Sequence, residues 1–435
     1  MSGRGAVAAA LALSTALGFV VGQGLARAPQ SQPLAAVASL EDVPVALSQA
    51  PASLFESIPV ARDALEDARL ASGRFVLSVP GPPGVPGPLT IQTTLDAELT
   101  RGIWKILDRG RVALGNVVVL DPHSGELLAY VSTDTEKFPP TRPYPAASLI
   151  KVITAAAGLA EDPGLPNRKC VWAGNKYRLS RHRVNPPRRG HSESMRRALA
   201  TSNNQCFAQL AVHGLGSNTL LDAIDRFGFL HSPAPGHLPG QVDHPADAYA
   251  LGQLGSGLDG TRITPLHAAQ LAAILADGVR VAPTWVSGVW DGDGRFLPLP
   301  DSGPSARVLT PKLAGELREM LVDTTRSGTA KRAFSRRGRA LLPGIDVAGK
   351  TGSLSGVEPT GRYEWFAGVA PVRQPVVAVA VVSVQGPLYW VSASQVAAEV
   401  FKLLFCPKGV CSPDAGERWG DPQTLAAVEN ARSSH

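Results

Sequence analysis

The chain has 435 residues, a formal net charge of +6, 44% hydrophobic residues and 18% charged residues. That balance supplies a large core and excludes an intrinsically disordered protein. The four cysteines, Cys170, Cys206, Cys406 and Cys411, have no metal-site spacing. Residues 5–26 carry no charge and follow Arg4. This run is long enough to cross a bilayer, which takes roughly 20 apolar residues, and the leading positive charge keeps residues 1–4 as a cytoplasmic stub. Ala26-Arg27-Ala28 also offers a small-x-small cleavage site, so a signal peptide stays open, although the length of the run favours an uncleaved anchor. Either way, everything after it lies outside the cytoplasm. Residues 27–88 read as a juxtamembrane linker, rich in Pro, Ser, Ala and Gln at its start, with one amphipathic helix over 54–70. The Pro/Gly run over 80–88 excludes a strand and marks a domain boundary.

The main domain is expected over 89–411. Thr94-Leu95-Asp96 opens a helix reaching Leu107, and residues 117–131 form a hairpin through Pro122-His123-Ser124-Gly125. His123 reads as an exposed turn residue. Next comes Ser148-Leu149-Ile150-Lys151, followed by an apolar run. Three residues apart on a helix share a face, so Lys151 can sit beside the Ser148 hydroxyl and act as its base if burial and a neighbouring cation depress its pKa. Residues 168–197 hold ten Lys or Arg against Glu193 alone. They read either as a solvated loop or as a patch attracted to anionic lipid or an anionic wall precursor. His182, His191 and His213 have no triad-like context and read as surface or packing residues.

Ser202-Asn203-Asn204 is the chain's only Ser-x-Asn, and Lys350-Thr351-Gly352 its only Lys-Thr-Gly. Ser148 is the only serine with lysine three places on. Each motif is weak alone, but three unique ones in this order make a specific constellation. A buried helix over 266–276, a central strand over 376–383 and a packed helix over 394–404 complete the domain, and residues 412–435 read as a disordered tail. The short spacing of Cys406 and Cys411 favours a local disulfide, leaving Cys170 to pair with Cys206. Free thiols stay open.

With these motifs, and with flanking blocks such as Ser327-Gly328-Thr329 and Trp365-Phe366-Ala367-Gly368, the chain resembles the penicillin-binding protein transpeptidases of the serine β-lactamase and D,D-peptidase superfamily. The resemblance spans about residues 89–405. It implies an α+β fold with an antiparallel sheet flanked by helices and a helical subdomain. Behind the N-terminal transmembrane helix the chain looks like a small, monofunctional, single-pass inner-membrane member, because little sequence precedes the domain. Its catalytic domain would lie in the periplasm or extracytoplasmic space.

By that resemblance Ser148 is the acylated nucleophile and Lys151 its base, with Lys350 keeping Lys151 partly neutral. Ser202 relays a proton to the leaving amine, and Asn204 orients Lys151 and holds the substrate amide. Lys350 and Thr351 recognise a carboxylate, Gly352 lets substrate backbone approach, and the N–H groups of Ser148 and Ser353 form the oxyanion hole. The expected function is a D,D-transpeptidase acting on D-Ala-D-Ala stem peptides of peptidoglycan, inhibited covalently by β-lactams, with no cofactor, metal or nucleic acid. Other cell-wall synthesis proteins are implied as partners. The alternatives are a D,D-carboxypeptidase, a β-lactamase or β-lactam sensor, and a catalytically silent scaffold. A β-lactamase of one major class needs a glutamate between Ser202 and Lys350, where only Glu316 and Glu319 occur, in an ordinary amphipathic helix.

Overall fold

Val377–Gln385 is an unbroken apolar strand in which every residue but the last is buried, because both faces of its sheet are covered. The computed structural model describes residues 49–419 apart from 84, 86, 302, 304 and 387–389. The expected stub over 1–4, the span over 5–26, the start of the linker and residues 420–435 lie outside the described residues. Among the described residues no helix is long and apolar enough to cross a membrane.

The strand sits at the centre of a five-stranded antiparallel sheet ordered Ala348–Val357, Thr360–Ala370, Val377–Gln385, Gly115–Leu120, Leu127–Ser132. Side chains alternate across it with period two. Val118, Leu120, Tyr130, Ala378, Ala380 and Trp365 enter one core. Val117, Val119, Val131, Val379, Val381 and Phe366 enter another. The first face carries Pro265–Asp277, in which all residues but the last are buried, including the polar His267 and Gln270, as a predominantly apolar helix requires. The second carries Ala97–Arg109 and the terminal helix Ala393–Phe405. The strand holding Lys350 lies at the sheet's edge.

Four sequence expectations are corrected. The helix expected from Thr94 begins at Ala97, because the Asp96 carboxylate caps it by accepting from Leu99 N at 2.8 Å, and Thr94 belongs to the strand Leu89–Asp96. Residues 54–70 form no single helix. A 3-10 turn, Ala52–Phe55, and a four-residue helix, Asp63–Glu66, stand either side of Pro59, which has no N–H to continue a helix. The Pro/Gly run over 80–88 is also no domain boundary. Arg74–Val79 before it pairs with Leu89–Asp96 after it, inside a second sheet that continues to Val286–Trp290. The expected disordered tail is ordered over its first residues. Pro413–Trp419 is a 3-10 helix whose Trp419 ring is buried and donates to Leu404 O at 3.1 Å.

In chain order a run of helices separates the Ser148 and Lys350 segments, and within it Cys170 in the strand Lys169–Trp172 is bonded to Cys206 in the helix Asn204–Gln209. Cys406 is bonded to Cys411 just past the terminal helix.

Candidate active site

Ser148 stands in a 3-10 turn, Ala147–Leu149, that runs into the helix Ile150–Glu161. The helix is nearly all Ala, Ile and Val on its buried faces, so Lys151, one residue in, is carried into the core. Ala147 has φ +49°, a left-handed conformation that a residue with a Cβ adopts at a cost of about 1 kcal/mol. Two glycines make room for this turn. A Cβ at Gly257 would overlap the Ala147 carbonyl, and one at Gly352 would press on Ala147 Cβ and the Ala146 carbonyl at 3.2 and 3.3 Å. Gly352 is therefore needed to let the edge strand approach the nucleophile's own turn, a reason that sequence alone does not display.

Lys151 Nζ meets Ser148 Oγ at 2.8 Å and Asn204 Oδ1 at 2.7 Å, and it also donates to the backbone carbonyl of Ser256. All its fixed partners are neutral oxygens. Burial, and then the positive charge of Lys350, push its pKa well below the usual ammonium value. Lys350 Nζ donates to Ser202 Oγ at 3.0 Å and to Thr351 O at 2.8 Å, and burial alone brings its pKa down to about 7. Two chains of polar atoms thus converge, Ser148–Lys151–Asn204 and Ser202–Lys350. Ser148, Ser202, Asn204, Thr351, Gly352 and Ser353 all line one cleft of about 720 Å³, with the two lysines buried beneath it.

Ser202 is itself left-handed, with φ +57°, and buried. Strain of this kind persists where the surroundings fix it. Asn203 does part of that fixing, since its Oδ1 caps Cys206 N at 3.3 Å while its Nδ2 donates to Glu193 at 2.7 Å. Asn204 is aimed by donating to Tyr177 O at 2.7 Å. Residue-by-residue reading missed Glu193 and Ser256 as positioning groups, and no motif marks them. Thr329 Oγ1 lies 2.6 Å from Thr351 Oγ1, so the Ser-Gly-Thr block adds a hydroxyl to the carboxylate end of the cleft. Ser353 Oγ accepts from Arg362 Nε at 2.7 Å, leaving its side chain engaged on the strand's face.

The basic stretch over 168–197 does not gather into one free patch. Arg168, Lys176, Arg181 and Arg196 pair with Asp162, Glu193, Asp247 and Asp323 at 3.3, 3.7, 2.6 and 4.0 Å. Arg197 is held by Ser327. His123, His191 and His213 lie at the surface, as expected. His191 lies against Trp172, His213 bonds Val184 O, and His123 is an exposed turn residue that bonds Pro375 O at 2.8 Å.

Burying two lysines sets a stability prediction. An unfolded lysine holds its proton up to about 10.5, whereas folded Lys350 releases it near 7. Between those values the unfolded chain binds more protons, so stability rises with pH, by up to about 1.4 kcal/mol per pH unit for one group. The urea midpoint should therefore climb from pH 7 to pH 9, and Lys350→Met should lose part of that climb. Equal climbs in the two proteins would contradict the assigned burial.

The family model described as penicillin binding protein transpeptidase domain matches residues 115–405. Among curated relatives, peptidoglycan D,D-transpeptidase PbpA of Mycobacterium tuberculosis is 27% identical over 341 residues, covering 68% of this chain and 67% of that protein. The same-named protein of Mycolicibacterium smegmatis is 28% identical over 342 residues, with 68% and 67% covered. In structure, the imipenem acyl-enzyme complex of penicillin-binding protein A from M. tuberculosis matches with a TM-score of 0.60 and 24% identity, over 73% of this chain and 80% of that one. The D,D-transpeptidase domain of a peptidoglycan glycosyltransferase from Eggerthella lenta matches with a TM-score of 0.61 and 22% identity, over 78% and 90%. At these identities the structural likeness speaks for the fold.

Proposed function

The chain belongs to the penicillin binding protein transpeptidase family, and from that footing we propose that it is a peptidoglycan D,D-transpeptidase working through an acyl-enzyme on Ser148. The observation that carries the reading is the 2.8 Å contact of Ser148 Oγ with a buried lysine whose pKa is depressed. A serine hydroxyl needs a neutral base within reach, and burial beside Lys350 favours the neutral form of Lys151.

In the proposed cycle Ser148 Oγ attacks the carbonyl of the penultimate D-alanine of a stem peptide while its proton passes to Lys151. The N–H groups of Ser148 and Ser353 receive the developing oxyanion. Ser202, bonded to Lys350, passes a proton to the departing D-alanine amine as the C–N bond breaks. The terminal carboxylate is held by Lys350, Thr351 and Thr329. The exposed edge of Ala348–Val357 offers its backbone to the donor peptide as an added strand. An acceptor amine then attacks the ester, forming the cross-link amide and restoring the Ser148 hydroxyl. A β-lactam opened by the same attack would leave Ser148 blocked.

Residues 5–26 are proposed to anchor the chain in the inner membrane, with the domain in the extracytoplasmic space. The two disulfides support that placement, since such bonds persist in oxidising compartments.

The test is to give the full chain a labelled D-Ala-D-Ala stem peptide and an amine acceptor. Release of free D-alanine together with an amide-linked product is the expected result. D-Alanine release with hydrolysis only would make the protein a carboxypeptidase. Rapid consumption of penicillin would make it a β-lactamase, and no reaction with either would leave a scaffold.

A further inference from the structure

Beside the Ser148 cleft runs a second groove of about 570 Å³, between the end of the helix Ala97–Arg109, the terminal helix Ala393–Phe405 and the segment around Ser335–Arg336. The two concavities adjoin, since Arg332, Ala333 and Gln395 line both. The groove has a sign. Arg109, Arg332, Arg336 and Lys402 line it against the single acid Glu399. None of these five side chains forms an ion pair among the described residues. Sequence adds to the field, because Lys331, Arg332, Arg336, Arg337 and Arg339 occur with no acid from 324 to 345. This contrasts with the basic stretch over 168–197, where acids neutralise four of the cations. A concave surface lined by uncompensated charge of one sign concentrates ligands of the other.

Its position relative to the chemistry says which ligand. In the proposed cycle the leaving D-alanine is held at Thr351 and Thr329, whose hydroxyls are 2.6 Å apart, and Thr329 is three residues before Arg332, which lines both the cleft and the groove. Aminolysis of the acyl-enzyme is acylation run backwards with a different amine. The attacking amine must therefore arrive where the leaving amine departed, and whatever is attached to it extends the same way.

We infer that this groove seats the body of the acyl acceptor, and that the acceptor is a peptide bearing carboxylates. The inference rests on the transpeptidase reading of Ser148. In the step it serves, the acceptor nitrogen bonds to the acyl carbon, the bond from that carbon to Ser148 Oγ breaks, and the amine's proton ends on Oγ. The groove supplies no atom to this exchange. Arg336, Arg109 and Lys402 hold the acceptor's anionic chain while its amine reaches past Arg332 to the ester.

The experiment uses the full chain and the double variant Arg109→Glu/Arg336→Glu, both positions being exposed and outside the Ser148 cleft. A D-alanyl thioester loads the enzyme, and the partition of the acyl group between water and amine is read with three acceptors: D-alanine, L-alanyl-D-glutamyl-L-lysine, and the diamide of that tripeptide. Loss of two surface charge contacts should lower the aminolysis-to-hydrolysis ratio for the charged tripeptide by about tenfold. The ratios for D-alanine and for the diamide should stay at the wild-type values, as should the rate of penicillin adduct formation. An unchanged ratio for the charged tripeptide overturns the assignment, and if the variant has also lost binding to phosphatidylglycerol vesicles the groove faces a membrane instead. An equal fall with all three acceptors overturns it too, because the cleft would then be what changed. A wild-type protein that forms no penicillin adduct brings down the Ser148 reading itself, an outcome separate from either of these.

Discussion

Ser148→Ala should form no covalent adduct with a labelled penicillin, while the wild-type chain gains one drug mass. The expected loss of acylation is at least about 10⁴-fold, because the removed oxygen is the atom that becomes acylated. Folding should survive. Ser148 is only half-buried and its side-chain hydrogen bond is the one from Lys151, so the cost is about 1 kcal/mol. Intact-mass measurement over hours, beside a thermal melt of the same sample, separates the two effects. An adduct on the alanine variant would place the nucleophile elsewhere and remove the basis of the mechanism.

Lys151→Met should reduce the acylation rate by about 10²- to 10⁴-fold, the usual range for loss of a general base. The variant keeps a side chain of similar length in the core and leaves Ser148 in place, so penicillin should still bind reversibly. The pH profile distinguishes a base from a packing residue. Lys151 acts only when neutral, and burial together with Lys350 lowers its pKa, so its neutral fraction grows as pH rises through that lowered value. Wild-type acylation should accordingly climb from acid toward that pH and then level, whereas the methionine variant should lack this limb. A variant retaining the wild-type limb would assign the proton transfer to another group. Lys350→Met should behave differently, with weakened recognition of carboxylate-bearing substrates and the pH response of Lys151 still present.

The polar atoms of the site were readable in the sequence because each sits in a short motif whose spacing matches its element. Ser148 and Lys151 are one helical turn apart, and Lys350 and Thr351 occupy successive strand positions with one side chain buried and the next half-exposed. The supports of those atoms were not readable. Ser256 contributes only a backbone carbonyl, which any residue type carries. Glu193 reaches Asn203 from a strand ten residues earlier, and in sequence it is only the lone acid of a basic stretch. Likewise the left-handed backbone at Ala147 and Ser202 belongs to residues with no intrinsic preference for it. In the fold, the central strand, the buried helix and the terminal helix were legible from apolar periodicity. The role of the Pro/Gly run is not legible, because proline and glycine interrupt a strand equally well between domains and inside a hairpin, and only the pairing across the run distinguishes them.

That pairing decides how the protein can be shortened. A fragment beginning at residue 89 would lose Arg74–Val79 and lay bare the long edge of Leu89–Asp96, whose free N–H and C=O groups invite another chain to add on. It would also strip away the buried Arg74 guanidinium that donates to Thr94 O at 2.7 Å. Ending at residue 411 would uncover the terminal helix where Trp419 now covers it. Such a fragment is an aggregation hazard despite carrying every catalytic group, whereas one running from 49 to 419 keeps Leu89–Asp96 paired and Trp419 on the terminal helix.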